Sequence, residues 1–444
     1  MVCCNPANLS DTAELVRKAK VAFPARTPKR HVEGISRLSS ASFGADAFLI
    51  VMKILFLSRW FPFPADNGSK IRIHNLLKGL SAHHEVTLFS FYDPGESSLD
   101  AIKRYPYCTQ LKVVPWKPFD AKSKRARIGL FSKSPRSLLD THSSQMESLI
   151  REVLSNEQFD VIIASQLTMA SYYPAFGGLP AIFEEIELGL YIDQALHGGN
   201  WFEQFRGRLT WFKLERYFLQ LLNSFVLCTV VSDREREIVI KNFPQHAKKI
   251  EVLPNCVNMD DYQATVKTIK GSRLIFSGSF RYRPNYHAMQ WFIRYAFPLI
   301  LEKIPDVQLV ITGDHANLPL PQTKNITLAG YVDDIQSMIA SCNVSIAPLW
   351  SGGGTRLKIL EAMALGTPVV ATSKGAEGLQ IENGENILIA DQPEKFAQAV
   401  IRILSEREFK DFIASNALQL VKNHYDWRAM IPKFLGFLEK ATAV

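Results

Sequence analysis

Apolar and polar positions alternate along this chain in two successive blocks of strand-like and helix-like segments. In the first block, the apolar run KILFLS begins at Lys53, a loop rich in Pro, Gly and Asn follows, and the amphipathic stretch IRIHNLLKGLSA leads to the apolar run HEVTLFSFY. A strand, a helix and a strand in this order predict a βαβ unit, whose parallel strands carry helices on their faces. Further strands of this block are predicted at 159–165, 180–186, 224–232 and 250–257.

A polar segment with little pattern, residues 258–270, is interpreted as a linker, and a second alternation follows it. A helix is predicted at 286–301, and the last predicted helix, around 427–440, has no strand after it. The strands of this second block are predicted at 272–279, 307–313, 326–332, 344–350 and 367–373. Two similar α/β halves of about 200 residues each predict two Rossmann-like domains.

The composition is that of an ordinary globular protein: 444 residues, 47% hydrophobic and 21% charged. No apolar run approaches the roughly 20 residues of a membrane-spanning helix. The six cysteines show neither a disulfide framework nor metal-ligand spacing, which fits a reducing, cytoplasmic compartment. Residues 1–51 are polar and weakly patterned, and we interpret them as an N-terminal extension, either a poorly ordered tail, a targeting segment or a misassigned start.

The positive charge is concentrated in one segment. The chain carries a net charge of +8, and residues 117–136 hold seven Lys/Arg and one Asp, a local net charge of +6. Such a run is either a solvated loop or a patch for anionic lipid headgroups or an acidic acceptor, since Phe119 and Phe131 interleave the charge. No nucleic-acid recognition module accompanies the patch, so nucleic acid is the less favoured partner.

The stretch SGGGTRLKILEAMALGTP, which begins at Ser351, combines features of an anion site. It follows a predicted strand and contains a helix predicted from Thr355, whose end is marked by Gly366 in a left-handed C′ position and by Pro368. Ligands of open parallel sheets bind beyond the carboxyl ends of strands, and a helix N-terminus attracts anions. Glycines allow a phosphate to approach the backbone, and cations add charge. The candidate residues are Gly352, Gly353, Gly354, Thr355, Arg356 and Lys358.

Glu361 lies inside the same predicted helix among leucines, alanines and a methionine. A buried carboxylate needs hydrogen-bond partners. One interpretation is a salt bridge to Lys358 or Arg356. The other is a carboxylate that accepts hydrogen bonds from two vicinal hydroxyls, as on a ribose.

A second glycine-bearing turn, FSGSFRYRPN, follows the predicted strand at 272–279. Gly278 and Ser279 could place N–H groups against the same phosphates, with Arg281 nearby; a simple strand–helix loop is the alternative. The chain contains no GxGxxG, GxxxxGK[ST], HExxH or GxSxG motif. It also lacks an Asp-x-Asp pair, so we expect no bound metal and no cofactor beyond a substrate nucleotide.

Five segments of the second half follow one another in a recognisable order: FSGSFRYRPNYHAMQWFI, VQLVITG, LAGYVDDI, VSIAPLWSGGGTRLKILEAMALGTPVVATSKGAEGL and GENILIAD. Together they resemble the C-terminal domain of family 4, or group 1, glycosyltransferases. The segments MKILFLSRWFPFPADNGSKIRIHNLL and VVSDREREIV, with VLPNCVN, resemble the N-terminal domain more loosely. The resemblance covers roughly residues 52–440.

The resemblance implies a GT-B fold, in which two Rossmann-like domains face a cleft. We expect an N-terminal acceptor domain over 52–262, a nucleotide-sugar-binding domain over 263–424, and a C-terminal helix over 425–444 that returns to the first domain. Family members transfer a sugar with retention of configuration and without a bound metal. The expected partners are therefore a nucleotide-diphosphate sugar and a glycan or lipid-linked acceptor.

The resemblance also implies roles for single residues. Glu361 matches the second glutamate of the family's paired-glutamate motif, which holds the ribose, and Arg356 and Lys358 fall where positive charge meets the diphosphate. Gly353 replaces the first glutamate, which often holds the donor sugar, and the family's Asn-Gly-Val-Asp is changed to the residues at 255–258, Asn-Cys-Val-Asn.

The acceptor side is expected in the first half. Gly68 and Arg72 follow the first strand, in the loop where the family positions acceptor and phosphate. Glu185 and Glu187, in FEEIELGLY, either face the acceptor or form an ordinary charged helix start.

The resulting expectation is a retaining, metal-independent glycosyltransferase of surface polysaccharide or glycolipid synthesis. Its expected location is the cytoplasm, either free or peripheral at the inner face of the membrane. Two rival hypotheses are kept: a non-catalytic nucleotide-sugar-binding protein, motivated by Gly353, and a nucleotide-sugar epimerase on the same fold.

Overall fold

The structure is a computed structural model that describes residues 51–95, 102–129, 131–132, 134–196, 201–262, 271–321, 323–353 and 356–443. Residues 49–444 form one compact unit. The predicted extension 1–51 therefore lies outside the described residues, apart from Val51.

The first half folds around a seven-stranded parallel sheet in the order β3-β2-β1-β4-β5-β6-β7. The central strand β1 pairs with β2, where Lys53 lies opposite Glu85, and with β4, where Ile54 lies opposite Val161. Sequential strands run outward from β1 in both directions, which is the doubly wound arrangement. The strands are β1 (Lys53–Ser58), β2 (Glu85–Tyr92), β3 (Gln110–Pro115), β4 (Val161–Ser165), β5 (Ala181–Ile186), β6 (Leu227–Val230) and β7 (Ile250–Val252).

Helices cover both faces of this sheet. Alternate residues of β1 enter different cores: Ile54 and Phe56 face one, and Leu55 and Leu57 face the other. The helices are α1 (Gly68–Leu80), α2 (Lys124–Ile128), α3 (Arg136–Thr141), α4 (Ser144–Asn156), α5 (Gln166–Ala170), α6 (Leu188–Leu196), α7 (Trp201–Ser224) and α8 (Asp233–Asn242). Short 3₁₀ turns lie at Tyr173–Ala175, Pro244–Lys249 and Met259–Tyr262.

The second half folds around a six-stranded parallel sheet in the order β10-β9-β8-β11-β12-β13. Its strands are β8 (Arg273–Ser277), β9 (Gln308–Thr312), β10 (Ile326–Gly330), β11 (Val344–Ala347), β12 (Val369–Ala371) and β13 (Leu388–Ile389). Its helices are α9 (Arg283–Trp291), continued through a π-helical turn (Phe292–Ala296) into α10 (Phe297–Lys303), then α11 (Ile335–Ala340), α12 (Leu357–Ala364), α13 (Pro393–Ser405) and α14 (Arg407–His424).

The last helix, α15 (Trp427–Thr442), leaves the second sheet and packs against α1 and β4 of the first half. The backbone N–H of Trp427 donates to the carbonyl of Val257 at 3.1 Å, and Lys440 Nζ lies 2.9 Å from Glu251 Oε1. The predicted fold class is confirmed: two doubly wound parallel α/β domains and a C-terminal helix that crosses back.

Several elements differ from the prediction. β3 was not predicted, because it is an edge strand in which Val114 is the one buried position. The edge strand β13 was not predicted either, because it is only two residues long. β7 ends at Val252, five residues earlier than predicted, and Pro254 follows without an N–H to extend the ladder. The helix predicted from Thr355 begins at Leu357, after Arg356. In the part of the chain that the structure describes, none of the helices is both long enough and apolar enough to cross a membrane.

Candidate active site

The turn after β8 brings the side chains of Asn285 and Lys358 together beside Gly278. Asn285, at the start of α9, donates from Nδ2 to the Ser279 carbonyl at 2.8 Å and accepts at Oδ1 from Lys358 Nζ at 2.8 Å. A β-carbon at Gly278 would lie 2.6 Å from Asn285 Nδ2 and 2.8 Å from Lys358 Nζ. Only glycine therefore allows this cluster, which we call the Lys358 cluster: Gly278, Asn285 and Lys358.

Lys358 Nζ is hydrogen-bonded to a neutral amide, and among the described residues no carboxylate lies within 4.0 Å of it. It lies 4.3 Å from the centre of the Phe276 ring, and burial, with the nearby charge of Arg356, lowers its pKa to about 7. The residue as a whole is half-buried. An ammonium held in such surroundings gains most from a negatively charged ligand.

The glycine loop before α12 is held by Arg356. The buried guanidinium donates from Nη1 to the Gly353 carbonyl at 2.9 Å, and from Nη2 to the Gly352 carbonyl at 2.8 Å and the Lys374 carbonyl at 3.2 Å. Gly352 has φ +97°, and a β-carbon there would lie 2.0 Å from the Tyr282 hydroxyl. Arg356 thus braces the loop from within. Gly354 and Thr355 lie outside the described residues.

Glu361 lies on α12 and is hydrogen-bonded to the Tyr262 hydroxyl. Among the described residues, no ion pair within 4.0 Å joins Glu361 to Lys358 or Arg356. Burial raises the pKa of Glu361, while the charge of Lys358 and the bond from Tyr262 oppose the shift. The residue is half-buried, and the charge of Lys358 acts on its carboxyl.

Ser279 and Arg281 form the outer edge of the same turn. The Ser279 hydroxyl accepts from the Arg281 N–H at 3.2 Å and donates to the Asp314 carbonyl at 3.3 Å. The largely exposed Arg281 side chain pairs with Asp314. Ser279 is therefore adjacent to the Lys358 cluster, whereas Arg281 projects into solvent from the rim.

The first half presents a buried charged cluster at the carboxyl ends of its strands. Arg72 Nε lies 2.5 Å from Glu184 Oε1, and Nη1 donates at 3.0 Å to the Leu253 carbonyl and to Asn255 Oδ1. Burial alone would lower the pKa of Arg72, but the carboxylates of Glu184 and Glu185 outweigh it and raise the pKa. Arg72 is fully enclosed, and its role is to hold these strand ends and the segment at 253–255.

Glu185 and Gln166 form a strained pair beside this cluster. Both have left-handed backbones, with φ +63° and +66°, which residues other than glycine rarely adopt. Gln166 Nε2 donates to Glu185 Oε2 at 2.8 Å and to the Ser69 hydroxyl at 3.1 Å. Burial and the neighbouring Glu184 raise the pKa of Glu185 to about 8. Such strain clusters at functional sites.

Both halves border one cleft. Glu187 lines it from the first half, and Gly353 and Lys374 line it from the second. Burial raises the pKa of Glu187. The charge of Glu235 adds to this upward shift, and the charges of Arg72 and Arg356 oppose it. Gly68 also faces the second half, since a β-carbon there would lie 3.4 Å from Leu357 Cδ1. Of the predicted residues, Gly353 on the donor side and Glu187 on the acceptor side line this cleft.

Three residues of the site were missed from the sequence. Asn285 is the last residue of the glycine-bearing stretch FSGSFRYRPN, and its polarity next to Pro284 was the available signal. Tyr262 lies in the segment interpreted as a linker, and Gln166 follows an apolar strand. Asn285 meets Lys358, Tyr262 meets Glu361 and Gln166 meets Glu185. No local sequence pattern indicates these contacts, because the two members of each pair are not neighbours in the chain.

The structure is a two-domain parallel α/β protein of the GT-B fold, with a glycine-bearing turn and a buried lysine at the strand ends of its second domain. Two family models match the chain, "Glycosyltransferase Family 4" over residues 66–261 and "Glycosyl transferases group 1" over residues 271–406. The chain belongs to the family 4, group 1, glycosyltransferases.

The chain is also similar to individual proteins. It is 22% identical over 84% of its length to an uncharacterized 44.6 kDa protein in the cps region of Klebsiella pneumoniae, and covers 96% of that protein. It is 28% identical over 42% of its length to the phosphatidyl-myo-inositol mannosyltransferase of Mycobacterium leprae, of which it spans 52%. The crystal structure of HepE from Anabaena, in complex with UDP and glucose, matches 87% of this chain and 99% of its own, with a TM-score of 0.58 and 15% identity.

Proposed function

We propose that the protein is a retaining, metal-independent glycosyltransferase that moves a sugar from a nucleotide-diphosphate sugar to a glycan or lipid-linked acceptor. The observation that carries the proposal is the Lys358 cluster beside the glycine loop. Together, the cluster and the loop offer a partly buried ammonium and backbone that a phosphate can approach. The carboxylate of Glu361 lies one helical turn further on. These are the groups that a diphosphate and a ribose require.

The chemistry follows from where the charge develops. As the bond between sugar and diphosphate breaks, negative charge grows on the leaving phosphate. Lys358, fixed by Asn285 against the turn, stabilises that charge without reorganisation. Arg356 acts on the phosphates through the loop whose carbonyls it binds. Because these groups supply the positive charge, the proposal requires no metal.

The acceptor is proposed to enter from the opposite wall. Glu185, Gln166 and Ser69 offer hydroxyl-binding groups there, on the strained backbone at the ends of β4 and β5. The Klebsiella relative in a cps region and the mycobacterial relative that acts on a phosphatidyl-inositol support synthesis of a surface polysaccharide or glycolipid. We place the protein in the cytoplasm, at the inner face of a membrane.

The basic segment 117–136 supports this placement. Its large apolar side chains among the described residues are exposed, with Phe131 93% and Ile128 69% accessible, and the Arg136 guanidinium lies 5.4 Å from the centre of the Phe119 ring. Residues 130 and 133 lie outside the described residues. We propose that this segment contacts anionic headgroups.

Nucleotide binding is tested by titration calorimetry with UDP, and with UDP lacking the two ribose hydroxyls. Glu361→Ala is expected to weaken UDP binding by about 1–3 kcal/mol and to leave the analogue unaffected, because the lost partner is the ribose. Equal losses for both ligands would exclude the ribose contact. Absence of UDP or GDP binding to the wild type would exclude the donor site.

Turnover is tested by incubating the protein with a panel of nucleotide sugars and following the products by NMR. Sugar release or transfer with the donor's anomeric configuration, unchanged by EDTA, is the expected result. Inverted products, or activity abolished by EDTA and restored by Mg²⁺, would contradict the mechanism. Isomerised free donor would identify an epimerase, and binding without any turnover a non-catalytic protein.

A further inference from the structure

The helix α7 is apolar on two opposite faces. Its inward face, Leu214, Phe218 and Leu221, is buried in the core that covers one side of the first sheet. Its outward face carries Phe205, Leu209 and Phe212, which are 58%, 51% and 50% exposed. At about 100° per residue these three share one stripe, about 180° from the buried face. We call it the α7 stripe.

The α7 stripe leaves an unusual amount of apolar surface exposed to water. Of the twelve large apolar side chains that are exposed among the described residues, three form this stripe and three more, Phe119, Ile128 and Phe131, lie in the basic segment 117–136. Scattered exposed apolar residues need no explanation, but ordered, contiguous ones mark an interaction surface.

Basic residues flank the stripe. Arg216 lies on the same face with its guanidinium 4.2 Å from the centre of the Phe212 ring, and Arg208 lies beside it and is exposed. The helix as a whole holds four Lys/Arg and two Glu. An apolar stripe with arginines along its edge is the pattern of a helix that lies in a membrane interface, because the guanidinium reaches the headgroups while the rings enter the acyl boundary.

The basic segment lies on the same side of the first sheet. It leads into α3, whose Leu138 packs on the same core as α7, as does Trp116 just before the segment. Both positively charged, apolar-bearing elements therefore cover one face of the acceptor-side domain, which also favours an anionic partner over a neutral one.

We propose that the α7 stripe docks on an anionic lipid surface, as a second contact beside the basic segment, and so brings the cleft to a membrane-embedded acceptor. The lipid contact is inferred from the exposed apolar side chains and the neighbouring arginines. Its role in reaching an acceptor rests on the proposed function. It commits to a lipid surface as the occupant; a second copy of this chain is the competing occupant.

The test is co-sedimentation of the full chain with vesicles of phosphatidylcholine alone or with about 30 mol% phosphatidylglycerol. The wild type is expected to bind the anionic vesicles, and less so as salt rises from roughly 0.1 to 0.5 M. The combined variant Phe205→Ser, Leu209→Ser, Phe212→Ser is expected to bind about tenfold or more weakly. The matched control, Tyr295→Ser with Phe412→Ser, removes exposed rings of the second domain and should bind as the wild type does.

Calorimetry with UDP and circular dichroism on each variant separate this proposal from the donor site and from misfolding. A folded triple variant that still binds vesicles like the wild type would overturn it, as would a wild type that binds neither vesicle. Light scattering decides the competing occupant. A wild-type dimer that the triple substitution converts to a monomer would show that the stripe is an interface between copies and would overturn lipid docking.

Discussion

Lys358 connects the electrostatics of the site to its proposed chemistry at the scale of single residues. Burial lowers its pKa to about 7, so near neutral pH a fraction of the unliganded protein carries an uncharged amine. A diphosphate favours the ammonium and raises the pKa when it binds. Binding and protonation are therefore linked.

We predict that UDP-glucose binds more tightly at pH 6 than at pH 8.5, since deprotonation of Lys358 competes with binding above its free pKa. UDP-glucose is the suitable probe, because its diphosphate does not titrate in this range. Lys358→Ala should weaken binding by about 2 kcal/mol at the lower pH and flatten the profile, as calorimetry at several pH values would show. The exposed Lys395→Ala is the control; an unchanged slope in Lys358→Ala would contradict the assignment.

We predict a second pH effect, on the stability of the fold, from the carboxyl of Glu185. Its pKa is raised to about 8 in the folded protein, so the carboxyl favours its neutral form there. Its contribution to stability is complete below the ordinary glutamate pKa and is lost as pH rises through about 8. Glu185→Gln, which resembles the neutral form, should melt at a higher temperature than the wild type at pH 9 and at a similar temperature near pH 4.5.

Glu184→Gln provides the contrast. Glu184 is the ion-pair partner of the enclosed Arg72 at 2.5 Å, so its removal leaves a buried cation and should lower the melting temperature at every pH. Identical pH profiles for Glu185→Gln and the wild type would show that Glu185 is ionised in the folded state.

At the scale of elements, the turn between β8 and α9 depends on the missing side chain of Gly278. The ammonium and the amide of the Lys358 cluster occupy the space that a β-carbon would take. The neighbouring Gly313 is also required, because a β-carbon there would lie 2.8 Å from the backbone nitrogen of Ser279. The ends of two strands thus shape one turn.

We predict that Gly278→Ala displaces Lys358 and Asn285 and weakens UDP binding by about 1–3 kcal/mol. Gly271→Ala is the matched control: it has φ +67°, but no atom lies within 4 Å of its β-carbon position. That variant has backbone strain without the collision, so its UDP affinity should equal that of the wild type. Equal losses in both variants would attribute the effect to strain rather than to the cluster.

At the scale of the whole molecule, the two domains are joined by α15 and by polar contacts along the cleft. Arg234 of the first domain lies 3.0 Å from Glu377 of the second, and Gln380 Nε2 donates to Asp233 at 2.7 Å. α15 fits against α1 where Gly79 leaves room for Ile431. The C-terminal helix is therefore part of the first domain's surface as well as the end of the second.

We predict that replacing two helical glycines by alanine changes the free energy of unfolding in opposite directions. A β-carbon at Gly79 would lie 2.4 Å from Ile431 Cδ1, so Gly79→Ala should push α15 away and lower the unfolding free energy by about 1–3 kcal/mol. Gly436, inside α15, has no atom within 4 Å of its β-carbon position. Gly436→Ala should instead raise stability by about 1 kcal/mol through helix propensity. Urea denaturation followed by circular dichroism measures both, and a stabilising Gly79→Ala would refute the packing of α15 on α1.

The sequence alone determined the elements and their order, because strand and helix periodicity and turn chemistry act within a few residues. The left-handed position of Gly366 after α12, with φ +62°, was predicted in this way and is confirmed. So were the central parallel strands, whose apolar runs are continuous. β3 escaped prediction because an edge strand is only half apolar.

Only the tertiary structure decided which groups meet. Lys358 and Asn285 are 73 residues apart, and Arg72 and Glu184 are 112 apart. The sequence predicted Arg356 beside the diphosphate, but packing turned its guanidinium onto the loop carbonyls. The packing of α7 on the core also leaves the α7 stripe exposed on the opposite face of the helix. Distances between groups far apart in the chain depend on how sheets and helices pack, and no local pattern carries that information.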